Sequence, residues 1–182
     1  MSKKISIFIF FFLLVIAQAS LLPNFFSVRH IPDLVLIVLI FFATRRGFSE
    51  VWGMTLVAGL LMDIFSFFPL GINTLSFMLV VLMASFLAQR FLVTYSTWKF
   101  LTLILLVIAG TALNDFVVVV LMKIFLSLKS AGEIGFPLFY SDLWLKILNN
   151  VLVFILIYWP LKKFENLKNV YGQKLTLRNN VR

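Results

Sequence analysis

The chain has 182 residues, 62% of them hydrophobic and 13% charged, and its formal net charge is +9. Soluble domains are roughly half apolar and a quarter charged, so a mean hydropathy of +1.07 indicates that most of this chain faces lipid. The sequence has no cysteine, which excludes disulfides, thiolate metal sites and a cysteine nucleophile. Phosphate-binding glycine motifs are absent, and the lone histidine, His30, cannot form a metal site by itself. We therefore predict no enzyme activity, no cofactor and no metal.

Six apolar segments are candidate membrane helices, because a bilayer core requires about 20 mainly apolar residues per helix. They cover residues 5–22, 31–44, 50–68, 72–89, 99–126 and 142–161. Each is apolar around its whole circumference, which distinguishes it from an amphipathic surface helix. The sequence thus predicts an all-α integral membrane protein, with one six-helix transmembrane domain at 1–161 and a basic tail at 162–182.

The basic residues predict the orientation, since lysine and arginine concentrate on the cytoplasmic side of membrane proteins. With the N-terminus inside, twelve of the sixteen basic residues fall on the inner side. The four others are Arg29, Lys123, Lys129 and Lys146. Both termini are therefore predicted to be cytoplasmic. The net charge then reflects topology and not nucleic-acid binding, and the tail is expected to lie against anionic lipid headgroups.

The first segment, "MSKKISIFIFFFLLVIAQAS", also resembles a signal peptide. It has a basic start and an apolar core, and Ala17-Gln18-Ala19 imitates a signal-peptidase site. We interpret it as a retained signal-anchor helix. The alternative is cleavage, which removes one helix and leaves the predicted orientation of the others unchanged.

Carboxylates inside a bilayer cost several kcal/mol unless they are paired, neutralised or hydrated, so they mark candidate functional residues. Asp63 and Asp115 are of this kind. Asp33, Glu50 and Asp142 lie at predicted helix ends, where headgroups and water are expected to satisfy them. An aspartyl protease dyad of Asp63 and Asp115 is not predicted, because the two lie at different depths and outside glycine-flanked motifs.

Asp63 belongs to a face of small residues. Thr55, Gly59 and Asp63 recur at intervals of four, with Ser66 close by. Small residues on one face allow close helix approach, so Asp63 is expected to face protein. There it would accept hydrogen bonds from neighbouring helices or from the following turn.

The turn after Asp63 is predicted from "FFPLG", residues 67–71. Pro69 cannot continue a helix because it lacks an N–H, and Gly71 permits a tight reversal. Phe67 and Phe68 are expected to anchor the turn at the membrane interface. Asn73 is expected to cap the start of the next helix.

A second polar group lies in "AGTALNDF", residues 109–116, near the middle of the fifth segment. Thr111 and Asp115 share one helix face, Gly110 and Asn114 share another, and the expected partners are Asn149 and Asn150. Three interpretations remain open: an inter-helix cluster that fixes packing, a proton, ion or ligand site, and a surface for a partner's transmembrane helix.

Two stretches together resemble the MreD family of bacterial rod shape-determining proteins. They are "IPDLVLIVLIFFATRRG" at 31–47 and "GLLMDIFSFFPLGINTL" at 59–75. The matching positions are Pro32, Asp33, Arg45, Arg46, Gly59, Asp63, Ile64, Ser66, Pro69, Leu70 and Gly71. The last two helices match in hydropathy only, and the basic tail has no counterpart in this pattern.

The resemblance implies a non-catalytic inner-membrane scaffold of the elongation machinery that builds the cell wall. The implied partners are the bitopic protein MreC, the actin-like filament protein MreB and the RodA–penicillin-binding-protein synthase pair. The implied fold is similar to the substrate-binding subunits of energy-coupling-factor transporters.

That likeness supplies the main alternative, a subunit that captures a vitamin or metal for transport. A capture subunit requires an outward-open polar pocket, and the predicted outer loops are short with few hydrogen-bonding side chains. The sequence therefore favours the scaffold, with no small-molecule substrate expected. An ion or proton carrier that uses Asp63 and Asp115 is a third hypothesis.

Overall fold

The computed structural model describes residues 2–26, 31–66, 69–91, 99–128 and 143–179. Within these ranges the chain is helical throughout its regular structure. The helices are α1 (Ser2–Ile16), α2 (Leu34–Arg46), α3 (Phe48–Phe65), α4 (Ile72–Phe91), α5 (Lys99–Leu128) and α6 (Leu143–Asn179). A π-helical turn, Ala17–Leu21, and a 3-10 turn, Leu22–Asn24, extend α1.

Four of the described helices are long and apolar enough to cross a membrane. The spans are Phe48–Phe65, Ile72–Arg90, Phe100–Phe125 and Leu143–Lys163. The apolar stretch Phe8–Asn24 and helix α2 are shorter. The prediction of an all-α protein with several membrane-spanning helices is therefore confirmed, while two of the six helices fall short of a full span.

Helix α2 is the centre of the bundle. Its 13 residues span roughly 20 Å, against about 30 Å for a bilayer core. Every residue from Val35 to Ala43 is buried, and all five other helices pack against α2. In the predicted second segment, about 31–44, Asp33 caps α2, and the helix begins at Leu34, inside the bundle.

Helix α6 continues beyond the predicted end of the last membrane segment. It passes through Pro160 and reaches Asn179, so the predicted tail begins within a helix. Hydropathy identifies where apolar residues stop, but it does not identify where a helix ends. Lysine, glutamine and leucine all have high helix propensity, so a polar segment that contains them can continue the helix. The boundary at residue 161 therefore marks a change in polarity and not the end of the helix.

We name the two ends of the bundle by the charged residues that lie there. At the arginine end, α2 and α4 finish and α3 begins, at Arg46, Phe91 and Phe48 respectively. At the aspartate end, α3 finishes with Phe65 and α4 begins with Ile72.

Candidate functional site

The carboxylate of Asp63 holds the first turn of α4. Its Oδ1 accepts a hydrogen bond from Asn73 N (2.8 Å), and its Oδ2 accepts from Gly71 N (2.9 Å), Thr74 N (3.3 Å) and Thr74 Oγ1 (2.6 Å). Asp63 is only 2% exposed. The first N–H groups of a helix lack hydrogen-bond acceptors within the helix. Here the carboxylate of an aspartate from the preceding helix accepts hydrogen bonds from them. Asp63 is thus a helix cap delivered from α3 to α4.

The turn between α3 and α4 brings these donors to the carboxylate. Gly71 has φ of +100°, a conformation that favours glycine. Ser66 Oγ accepts from Asn73 Nδ2 (3.0 Å), and Pro69 O accepts from Ile72 N (3.3 Å). The expectation that Asn73 caps α4 is wrong: Asn73 lies inside the first turn, and its side chain binds back to Ser66. Phe67 and Phe68, the expected interfacial anchors, lie outside the described residues, as does His30.

The small-residue face of α3 allows the backbones of α3 and α4 to approach each other closely. Thr55, Gly59 and Asp63 are all buried, as the stripe predicts. A Cβ placed on Gly59 would lie 2.5 Å from Thr74 Cα. Because Thr74 also donates to Asp63, the glycine and the aspartate position the same residue of α4.

Gly59→Ala is therefore expected to lower the free energy of unfolding by about 1–3 kcal/mol, since the added methyl group meets a backbone atom that cannot rotate away. Gly53→Ala is the matched control on the same helix, because a Cβ there has nothing within 4 Å. It is expected to be neutral or to stabilise by up to about 1 kcal/mol. Denaturant titration of both purified variants measures the difference, and equal effects would refute the close approach.

A second polar cluster surrounds the start of α2. Asp33 Oδ1 accepts from Leu36 N (3.1 Å) and from Gln18 Nε2 (3.2 Å), while Gln18 Oε1 accepts from Val35 N (3.0 Å). Asp33 N donates to Asn150 Oδ1 (2.7 Å). The expectation that water and headgroups satisfy Asp33 is wrong, because the residue is 7% exposed and its partners are protein groups. α2 begins among other helices and not at the surface of the bundle.

Two matched pairs of residues join α5 to α6. Asn150 Nδ2 donates to Thr111 Oγ1 (2.8 Å), and Lys146 Nζ forms an ion pair with Asp115 Oδ1 (2.5 Å). Residues four apart on one helix thus meet residues four apart on its antiparallel neighbour. Asn150 is completely buried, whereas Asp115 and Lys146 are partly exposed. Asn149, the other expected partner, is only partly buried.

A further contact joins α4 to α5. Ser76 Oγ donates to Asn114 Oδ1 (2.6 Å) and approaches Asn114 O (3.2 Å), and both residues are buried. One turn earlier on α5, a Cβ on Gly110 would lie 2.5 Å from Ile40 Cδ1 of α2. Asn114 and Gly110, predicted to share a face, therefore both face the bundle interior.

Sequence reasoning missed Gln18 and Lys146. In the sequence, Gln18 is part of a signal-like motif and Lys146 is an outward charge. A signal for Lys146 existed, because its spacing to Asn150 equals the spacing of Thr111 to Asp115. Gln18 carries no comparable pattern.

The comparisons with known proteins give one match. The family model of the rod shape-determining protein MreD matches residues 2–166. The chain belongs to the MreD family. No curated protein and no solved structure matches the chain. The MreD match includes Gln18, Asp33, Asp63 and the α5–α6 pairs, so every polar contact described above lies within it.

Membership of the MreD family assigns this protein a role in rod shape determination. MreD is a family of shape-determining proteins and not a known enzyme family. In the part of the chain that the structure describes, no group of three or more histidine, cysteine, aspartate or glutamate side chains could hold a metal ion. The side chains of Asp63, Asp33 and Asn150 are hydrogen-bonded to groups of the same chain, among them the start of α4, Gln18 and Thr111. The likeness to transporter substrate-binding subunits stays a prediction.

Proposed function

We propose that this protein is a non-catalytic scaffold in the bacterial inner membrane that organises MreC, MreB and the RodA–penicillin-binding-protein synthase pair. The observation that supports this proposal is the use of the buried polar groups. Asp63 accepts four hydrogen bonds from the turn and first residues of α4. A carboxylate engaged in this way fixes the shape of a helix pair. A defined, rigid outer shape is what a scaffold must present to its partners.

The other clusters support the same proposal. Gln18, Asp33 and Asn150 connect the end of α1, the start of α2 and α6 through hydrogen bonds. Thr111 adds α5 to this set, and Ser76 with Asn114 connects α4 to α5. Polar contacts between membrane helices average about 0.6 kcal/mol each and reach about 1.7. Several of them acting together favour one arrangement of the helices over alternatives.

We also propose an orientation in the membrane, with both termini in the cytoplasm. In this orientation the arginine end lies on the inner side and the aspartate end on the outer side. The support is the distribution of lysine and arginine, twelve against four. On this orientation Asp63 and its turn face the periplasm, and the tail after residue 161 extends α6 toward MreB and the inner leaflet. Cysteine labelling with an impermeant reagent tests it directly, because the natural chain has no cysteine to react.

Affinity purification from solubilised membranes tests the partners. A tagged full-length chain is expected to recover MreC and the synthase pair, measured by quantitative mass spectrometry against an equally abundant, unrelated multi-pass protein. Enrichment of these proteins over that control supports the scaffold. Recovery of paired ATPase subunits with a transmembrane coupling subunit would contradict it and indicate a transporter's capture subunit.

A further inference from the structure

Three arginine side chains gather at the arginine end. Arg45 and Arg46 lie in the last turn of α2, and Arg90 lies in the last turn of α4. The two helix ends touch: Ser85 Oγ donates to Ala43 O (3.3 Å). In addition, a Cβ on Gly47, the residue after α2, would lie 3.7 Å from the side-chain nitrogen of Gln89. The helix ends that carry these guanidinium groups are therefore held against each other.

Each guanidinium group lies over the ring of a phenylalanine one turn earlier in its own helix. The distances from Cζ to the ring centroid are 5.3 Å for Arg45 on Phe41, 4.9 Å for Arg46 on Phe42 and 5.7 Å for Arg90 on Phe86. Attraction to the ring orients the flat face of the cation. Phosphate binds to the N–H edge of a guanidinium group, not to its face. This position over the ring therefore pre-orients these side chains for an anion.

The charge at this end is positive. Lys162 and Lys163 are exposed on α6, one turn beyond Tyr158, whose ring packs 6.2 Å from Phe41. Among the charged side chains that the structure describes, Glu50 is the acidic one at this end. Asp33, Asp63 and Asp115 lie toward the aspartate end, as their contacts with the starts of α2, α4 and α6 show. Five basic groups against one acidic group leave an excess of +4.

The position of the arginines matches that of lipid phosphates. The apolar span in α3 begins at Phe48 and the one in α4 ends at Arg90, so the arginines lie where these apolar spans end. Phosphate groups occupy this interfacial layer. An exposed apolar stripe on α4 leads from the bilayer to Arg90 and consists of Leu79, Leu82, Met83 and Phe86. A lipid acyl chain can lie along such a stripe, whereas a soluble anion has no acyl chain to place there.

We propose that the arginine end binds the phosphate of an anionic phospholipid from the adjoining leaflet. Arg45, Arg46 and Arg90 contact the phosphate oxygens, and an acyl chain lies along the stripe on α4. This inference goes beyond the scaffold function, because it concerns recognition of lipid and not of a protein partner. It holds for either orientation of the chain in the membrane.

Native mass spectrometry of the full-length protein tests this proposal. The protein is purified with an equimolar mixture of phosphatidylglycerol and phosphatidylcholine, and the retained lipid is counted. The natural chain is expected to retain phosphatidylglycerol preferentially. Arg46→Gln with Arg90→Gln is expected to reduce that retention by about tenfold, because two charge-assisted contacts are lost. Lys123→Gln removes a charge on α5 far from this end and is expected to change retention by less than about twofold.

A pair of lysine substitutions and a competition with inorganic phosphate complete the test of lipid binding. Arg46→Lys with Arg90→Lys keeps both charges, and with them the membrane orientation, but loses the planar fork. It is expected to weaken retention several-fold, and it replaces the glutamine variant if that one fails to fold. Unchanged retention in the folded variants would overturn the proposal. Displacement of phosphatidylglycerol by millimolar inorganic phosphate would also overturn it, since the ligand would then be a soluble anion.

Discussion

Asp63→Leu is expected to be among the most damaging single substitutions in the membrane domain, lowering the free energy of unfolding by about 3–5 kcal/mol. The carboxylate accepts from three backbone N–H groups and one hydroxyl. Leucine leaves these donors without acceptors in a site that is buried at Asn73 and part-buried at Gly71 and Thr74. Each buried unsatisfied donor costs about 1–3 kcal/mol, and a partly buried one costs less. The total falls below the simple sum because the loosened turn finds other partners. Denaturant titration in detergent micelles measures the loss.

Graded variants separate the capping role of Asp63 from a simple change in packing. Asp63→Asn keeps one acceptor oxygen and is expected to cost about half as much as leucine. Thr74→Val removes only the hydroxyl contact at 2.6 Å and is expected to cost about 1 kcal/mol. A stable Asp63→Leu protein, or an asparagine variant as damaged as leucine, would show that these hydrogen bonds do not hold α4.

Asn150→Leu is expected to lower the free energy of unfolding by about 2–3 kcal/mol. Asn150 is fully buried and contacts two elements, accepting from Asp33 N and donating to Thr111 Oγ1. Leucine leaves Asp33 N without its acceptor at the start of the central helix. Thr111 is less affected, because its hydroxyl also donates to Val107 O (2.8 Å).

Asn149→Leu is the matched control for Asn150→Leu. It makes the same substitution at the preceding position of α6, where the side chain is only partly buried. Partial exposure lets water or headgroups replace lost partners, so a loss below about 1 kcal/mol is expected. Thermal unfolding of the two variants in the same detergent compares them, and equal losses would mean that Asn150 has no special role at the start of α2.

The sequence predicts the helices and the α3–α4 pair well because the relevant signals are local. Glycine and threonine at intervals of four place Asp63 on a buried face, and Pro69 with Gly71 ends one helix and reverses the chain. These features depend on residues fewer than twelve positions apart. The match to the family model agrees with the resemblance carried by the same stretch.

The second cluster is harder to predict because its contacts are distant in sequence. Asp33 lies 117 residues from Asn150, and Gln18 lies 17 residues before Val35, whose N–H it accepts. Hydropathy also treats a buried helix and a lipid-facing helix alike, so it cannot reveal that α2 is short and enclosed. The error in the position of Asp33 follows from that: a helix start inside the bundle looks like one at the membrane surface.

In a scaffold, Asp63 matters for the shape of the helix bundle and not for a chemical step. The most direct measurement follows three quantities in the same cells that carry Asp63→Leu: membrane insertion, co-purification of MreC, and cell shape. We expect the folded protein and its recovered partners to decline together, with loss of rod shape in proportion. A variant that inserts at normal levels, retains its partners and still yields round cells would contradict the account, because Asp63 would then perform a function beyond holding α3 against α4.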